Sequence, residues 1–140
     1  MRQIKFRGKE IDYNFWVEGN LLITDDNHNN PFRTHPITKY YQIVKYEAGD
    51  WNMGGWTYCN IVPETIGQFT GMFDEDNKEI YEGDIVEGIS DNIFSKGDVN
   101  KYEIIWGVDH WHVKGTGFTL QELFNFCNKK VKVVGNIHEK

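Results

Sequence analysis

Thr65-Ile66-Gly67-Gln68-Phe69-Thr70-Gly71-Met72-Phe73-Asp74-Glu75-Asp76-Asn77-Lys78-Glu79-Ile80-Tyr81-Glu82-Gly83-Asp84-Ile85-Val86 is the most informative stretch of the chain. It reads as a strand that runs into a tight polar loop. Within that loop Asn77 is the residue best able to accept a left-handed backbone conformation, because its short polar side chain tolerates that region. A second turn, at Glu82-Gly83-Asp84, bends or reverses the chain before Ile85-Val86 opens the next strand.

Outward from this segment, alternation of period two dominates. At the N-terminus Ile4 and Phe6 point one way while Lys5 and Arg7 point the other, the pattern of a half-buried strand. Residues 15–24 read as a strand interrupted at Gly19-Asn20 and followed by another. Residues 25–36 are packed with turn formers and predict a long exposed loop. Further strands are expected over 40–46, 57–62, 65–70, 80–89, 101–106, 111–114 and 130–137. One helix stands apart. Thr119-Leu120-Gln121-Glu122 is a capping box, and Leu120, Leu123, Phe124 and Cys127 then fall at i, i+3, i+4 and i+7. The helix should therefore end near Asn128, with that face on a sheet.

The expected fold is mainly β, in small barrel-like or sandwich-like subdomains, with one short helix near 119–128. The step Gly83-Asp84-Ile85-Val86 is similar to one found where the chain enters a strand of small SH3-like barrels, which lends that character to the C-terminal half. The 140 residues suit one domain. No Pro/Ser linker divides them, so a single domain 1–140 is expected with a soft internal division near 63, between parts 1–63 and 64–140.

The run from Thr65 to Val86 resembles the signature of the YopX family, small proteins encoded by phages and prophages of Gram-positive bacteria. Ile4-Lys5-Phe6-Arg7 resembles that family's start, and Val133-Val134-Gly135-Asn136-Ile137-His138-Glu139 its terminal strand. The family more often has Tyr where His138 stands, and Gly at or just before Lys78. The resemblance implies a β-rich, oligomeric, phage-encoded protein without an established activity, and it designates no catalytic residue.

Charge and composition narrow the function classes. Net charge is −6. Residues 74–87 carry Asp74, Glu75, Asp76, Glu79, Glu82, Asp84 and Glu87 against Lys78 alone, while Arg2, Lys5, Arg7 and Lys9 crowd the first nine residues. A negative field repels a phosphate backbone and disfavours general nucleic-acid affinity, though a local basic face is compatible with it. The longest apolar run is far shorter than the ~20 residues of a membrane span, and the charged N-terminus has no signal-peptide core. The cytoplasm of the bacterial host is the expected location. Cys59 and Cys127 have no Cys-x-x-Cys spacing and read as small buried hydrophobes.

Candidate chemistry is sparse. Asp74-x-Asp76-x-Lys78 lacks the further oxygen ligands of a calcium loop. His110 and His112, two apart on a strand, share a face and could grip one transition metal. Asp109 points oppositely, and His28, His35 and His138 are third ligands by composition only. Ser90 and Ser95 lie in a polar stretch outside any Gly-x-Ser-x-Gly motif. The aromatics Tyr40, Tyr41, Tyr46, Trp51, Trp56 and Tyr58 suit a core or a protein interface better than base stacking, since only Lys39 and Lys45 lie near them in sequence. No catalytic, cofactor-binding or metal-binding residue is assigned. The expectation is a non-enzymatic binding module, a homo-oligomer with a protein partner of unknown identity; the alternative is a small nucleic-acid-binding β-barrel.

Overall fold

The structure is a computed structural model and describes residues 4–25, 39–49, 51, 53–106, 110–116 and 118–138. Ten strands and one α-helix account for the regular elements among them: β1 Phe6–Lys9, β2 Trp16–Asp25, β3 Lys39–Glu47, β4 Gly55–Asn60, β5 Gly67–Phe73, β6 Glu79–Tyr81, β7 Asp84–Ile89, β8 Val99–Trp106, β9 Trp111–Val113, α1 Leu120–Phe126 and β10 Val131–Asn136. The protein is mainly β, with every strand pairing within these elements antiparallel. The chain divides into two compact units, one formed by residues 4–66 and the other by residues 67–140 with the first three residues.

In the unit formed by residues 4–66 the strands run in the order β4-β3-β2-β1. Alternation sends Val17, Ile43 and Ile61 to one face, where Phe6, Leu21, Cys59 and Ile66 pack around them. The break expected at Gly19-Asn20 is absent: β2 passes through both residues, Gly19 opposite Phe6 and Asn20 opposite Val44. Gly19 is there for closeness. A Cβ at this position would stand 2.7 Å from the Val44 carbonyl oxygen. A short 3-10 turn, Pro63–Thr65, ends the unit, where the Thr65 hydroxyl donates to the Val62 carbonyl and accepts from the Lys9 N–H. Most of the loop expected over 25–36, with His28 and His35, lies outside the described residues.

The other unit holds the β5–β6 hairpin, a sheet ordered β10-β7-β8-β9, and α1. That sheet is open among the described residues, with β10 and β9 at its edges, so the β character is present without barrel closure. Its core is Ile80, Val86, Ile104, Trp111, Val113, Leu120, Leu123, Phe124, Cys127, Val131 and Val133. The helix forms as its sequence predicts. The Thr119 hydroxyl accepts the Glu122 N–H at 3.1 Å, and the residues at i, i+3, i+4 and i+7 are all buried. It stops because Asn128 and Lys129 are both left-handed, at φ 48° and 63°, and the Lys129 N–H returns to the Phe124 carbonyl. The stretch 80–89 is two strands rather than one, divided at Glu82-Gly83 where Gly83 has φ 88°.

The loop 74–78 turns on Asn77, which has φ 61°. For an L side chain without a local hydrogen-bonding group that conformation costs about 1–2 kcal/mol. Asn77→Ala is therefore expected to lower stability by about 1 kcal/mol, and Asn77→Gly to be neutral or slightly stabilising, as read by urea denaturation. Equal loss in both variants would mean that the Asn side chain, and not the backbone angle, matters there.

Candidate interaction surface

The face of β1–β4 turned away from the Val17-Ile43-Ile61 core carries large rings in solvent. Strand register places Tyr58 opposite Val44, Trp56 opposite Tyr46, and Leu22 and Asn60 each opposite Gln42. Paired residues of an antiparallel sheet project on the same side. Tyr46 and Trp56 meet edge to face, with centroids 5.4 Å apart. Tyr46, Trp56 and Tyr58 are nevertheless each more than half exposed, and Tyr40 is 49% exposed on the same side. The Gln42–Asn60 pair stands between Tyr40 and the other three rings. Rings that fill a core do not keep that exposure, so the 40–58 cluster is divided by strand parity. Tyr41 turns with Ile43 toward the core side, while Tyr40, Tyr46, Trp56 and Tyr58 turn out.

Strand β1 adds charge to this outward side. Lys9 lies opposite Trp16 and Arg7 opposite Glu18, and both cations sit over the Trp16 ring, at 4.5 Å for the Arg7 guanidinium and 5.3 Å for the Lys9 ammonium. Lys5 pairs with Glu18 at 3.7 Å. This basic and aromatic group is separated in sequence from the Tyr/Trp row by some 30 residues, and adjacency along the chain gave no sign of it. The alternation of charge with apolar residues over 4–7 was its one sequence signal.

The acidic stretch 74–87 is only partly a surface. Asp74 is 5% exposed and Asp84 1% exposed. One Asp74 oxygen accepts the N–H groups of Asp76 and Lys78, at 2.9 and 2.8 Å, and the other accepts that of Val133 at 2.9 Å. With both oxygens committed to backbone donors, Asp74 is a staple between the loop and β10 and not an open cation ligand. Asp84 accepts the Tyr81 N–H at 2.8 Å and the Asn136 side-chain amide at 3.1 Å. Burial pushes the Glu82 carboxyl above its ordinary range.

His110 and His112 do come together, with ring centroids 5.2 Å apart. Between them Trp111 turns into the core against Trp106, 4.6 Å away. The Nδ1 of His112 is buried without a hydrogen-bond partner among the described residues. Among those residues no group of three or more His, Cys, Asp or Glu could hold a metal ion; Asp109, His28 and His35 fall outside them. Cys127 is packed in the core, and burial pushes its thiol up, away from thiolate. Burial likewise raises the Tyr102 phenol; nearby Cys127 adds to the rise, and a hydrogen bond to Asn100 opposes it. Ser90 and Ser95 join hydroxyl to hydroxyl at 2.7 Å and brace the loop before β8. Among the described residues no helix is long and apolar enough to cross a membrane.

Among solved structures the chain is similar to protein EF1440 from Enterococcus faecalis, with a TM-score of 0.58 and 20% identity over 99% of this chain and 96% of that one. That likeness is one of fold. Among curated proteins none matches the chain. The family model described as YopX protein matches residues 5–140. Of the residues that carry the resemblance, Asp74 and Asn77 shape the polar loop, and Gly83, Asp84 and Asn136 lock the second turn to the terminal strand. By a match over nearly its whole length, the chain belongs to the YopX protein family.

Proposed function

We propose that this protein is a phage- or prophage-encoded accessory protein that works by binding and not by catalysis, as a homo-oligomer in the cytoplasm of a bacterial host, and that it holds a protein partner on the outward face of β2–β4. One observation carries the reading: Tyr40, Tyr46, Trp56 and Tyr58 share a single solvent-facing side of a sheet whose other side already makes the core. Aromatic side chains of this kind dominate binding energy at protein interfaces. Further support comes from the ionisable groups, because the Asp74 and Asp84 carboxylates are engaged in holding turns together. In a pull-down from infected cells, a partner retained by the native protein should lose at least about tenfold in affinity with Trp56→Ala/Tyr58→Ala. Equal recovery by both proteins, or nothing above background, would count against the face.

A second reading, single-stranded nucleic-acid binding, draws support from Lys5, Arg7 and Lys9 standing beside Trp16 on the same side as the exposed rings. The net charge of −6 opposes it. Gel shifts with single-stranded DNA and RNA at about 50 mM salt decide the matter, and no shift there removes the reading.

A further inference from the structure

The turn between β7 and β8 holds two large apolar side chains in water. Ile93 is 84% exposed and Phe94 91% exposed. A slack loop would let such residues collapse onto the nearest apolar surface, but this one is braced from within. The Ser90 N–H donates to the Asp98 carbonyl and the Gly97 N–H to that of Ser90; Ser95 donates to Asn92 and Asp98 to Ser95. The Phe94 N–H is taken by the Asn92 side chain at 2.9 Å. The Asp91 N–H is fixed to the Phe126 carbonyl at the end of α1, and Ile89 and Val99 close the base as a strand pair. The result is a pre-organised apolar knob, which loses little conformational freedom on docking.

The same unit offers a groove that this knob leaves unfilled. Between β5 with the loop after it and α1 lies a groove of about 580 Å³ bordered by Met72, Phe73, Phe124, Gln121, Glu75 and Lys129. Phe73 on its wall is 48% exposed. The volume falls within the range of sites that enclose drug-sized apolar groups. The charges around the two features are complementary. Asp91 and Asp98 flank the knob and can face Lys129, while Lys96 beside the knob can face Glu75; all five are exposed. A foreign partner needs no such correspondence between two patches of one chain.

We propose that the Ile93–Phe94 knob of one copy seats in the Met72-Phe73-Phe124 groove of a second copy, so that this chain assembles with itself through its C-terminal unit. The proposal rests on the oligomeric part of the reading above and is independent of the aromatic face. Because knob and groove are different surfaces, the contact is either reciprocated in a two-fold pair or passed head to tail into a ring or an open filament. The contact is small, so mass should rise with protein concentration.

Light scattering of the full chain across micromolar concentrations tests it. The native protein should exceed the 16.4 kDa of one chain, whereas Ile93→Ser/Phe94→Ser and, separately, Phe73→Ser/Lys129→Glu should run as single chains. Mixing the two variants should give a one-to-one pair, weaker than the native assembly because only one knob and one groove are intact; a variant that had merely unfolded could not do this. A native protein that stays a single chain would overturn both the contact and the oligomeric reading. An oligomer indifferent to the loss of Ile93 and Phe94, or to Phe73→Ser/Lys129→Glu, would overturn the contact and leave the oligomeric reading standing.

Discussion

Asp74→Ala should lower the unfolding free energy by about 3–4 kcal/mol, enough to leave a domain of ordinary stability marginal. The carboxylate is 5% exposed and accepts three backbone N–H groups, two from its own loop and one, Val133, from β10 more than fifty residues on. Hydrogen bonds to a charged acceptor each contribute about 1.5–3 kcal/mol, and a buried donor left unmatched carries its own penalty. The loop donors can turn to water once the carboxylate is gone, but the N–H of Val133 is buried, which keeps the estimate below the simple sum and above one bond. Asp74→Asn separates the parts of the effect. One oxygen can still serve Asp76 and Lys78, but the amide nitrogen would face the Val133 donor, so a loss of about 2 kcal/mol is expected. Chemical denaturation reads both values, and a midpoint unchanged in Asp74→Ala would show that the staple to β10 is not a structural element.

Asp84→Ala should cost about 3 kcal/mol. This carboxylate is 1% exposed, takes the Tyr81 N–H that closes the Glu82-Gly83 turn, and holds the Asn136 amide at the end of β10. The backbone on either side is also tied, since the Gly83 N–H donates to Ile104 and the Ile137 N–H to Gly83. The removal therefore loosens a junction of β6, β7, β8 and β10 and not a single loop. Asn136→Ala loses its amide bond to Asp84 and the acceptor of the His138 N–H, and should cost about 1–1.5 kcal/mol. The double variant should fall short of the summed costs by about 1 kcal/mol, because both substitutions break the same bond. Strict additivity would mean that the Asp84–Asn136 contact carries no energy.

These two aspartates also explain why the signature resisted a functional reading. In sequence they are two of the acids concentrated in 74–87, without the ligand spacing of a calcium loop, whereas in the structure both are buried and accept hydrogen bonds from backbone and amide donors. Spacing within 74–87 could not reveal this, because their decisive partners, Val133 and Asn136, lie more than fifty residues away. The nearby turn chemistry was legible for the opposite reason. Asn77 and Gly83 answer to steric limits within a residue or two, and those limits act before any tertiary contact forms. The same locality made α1 readable from its cap and its i, i+3, i+4, i+7 stripe. Gly19 misled because a glycine inside a strand pattern can mark a break or a close approach, and only the neighbouring Val44 carbonyl decides which.

By itself the sequence determined that most of this chain is extended, that one short capped helix interrupts it, and that Asn77 takes a left-handed turn. All of these depend on side-chain periodicity and on backbone sterics, which are properties of neighbouring residues. Tertiary structure alone decided that Tyr46, Trp56 and Tyr58 stand in solvent while Tyr41 turns inward, that Arg7 and Lys9 stack on Trp16, and that Ile93 and Phe94 are held out on a braced turn. Which side of a sheet is covered is set by what packs against it. No residue's own chemistry, nor its spacing from the next, carries that information.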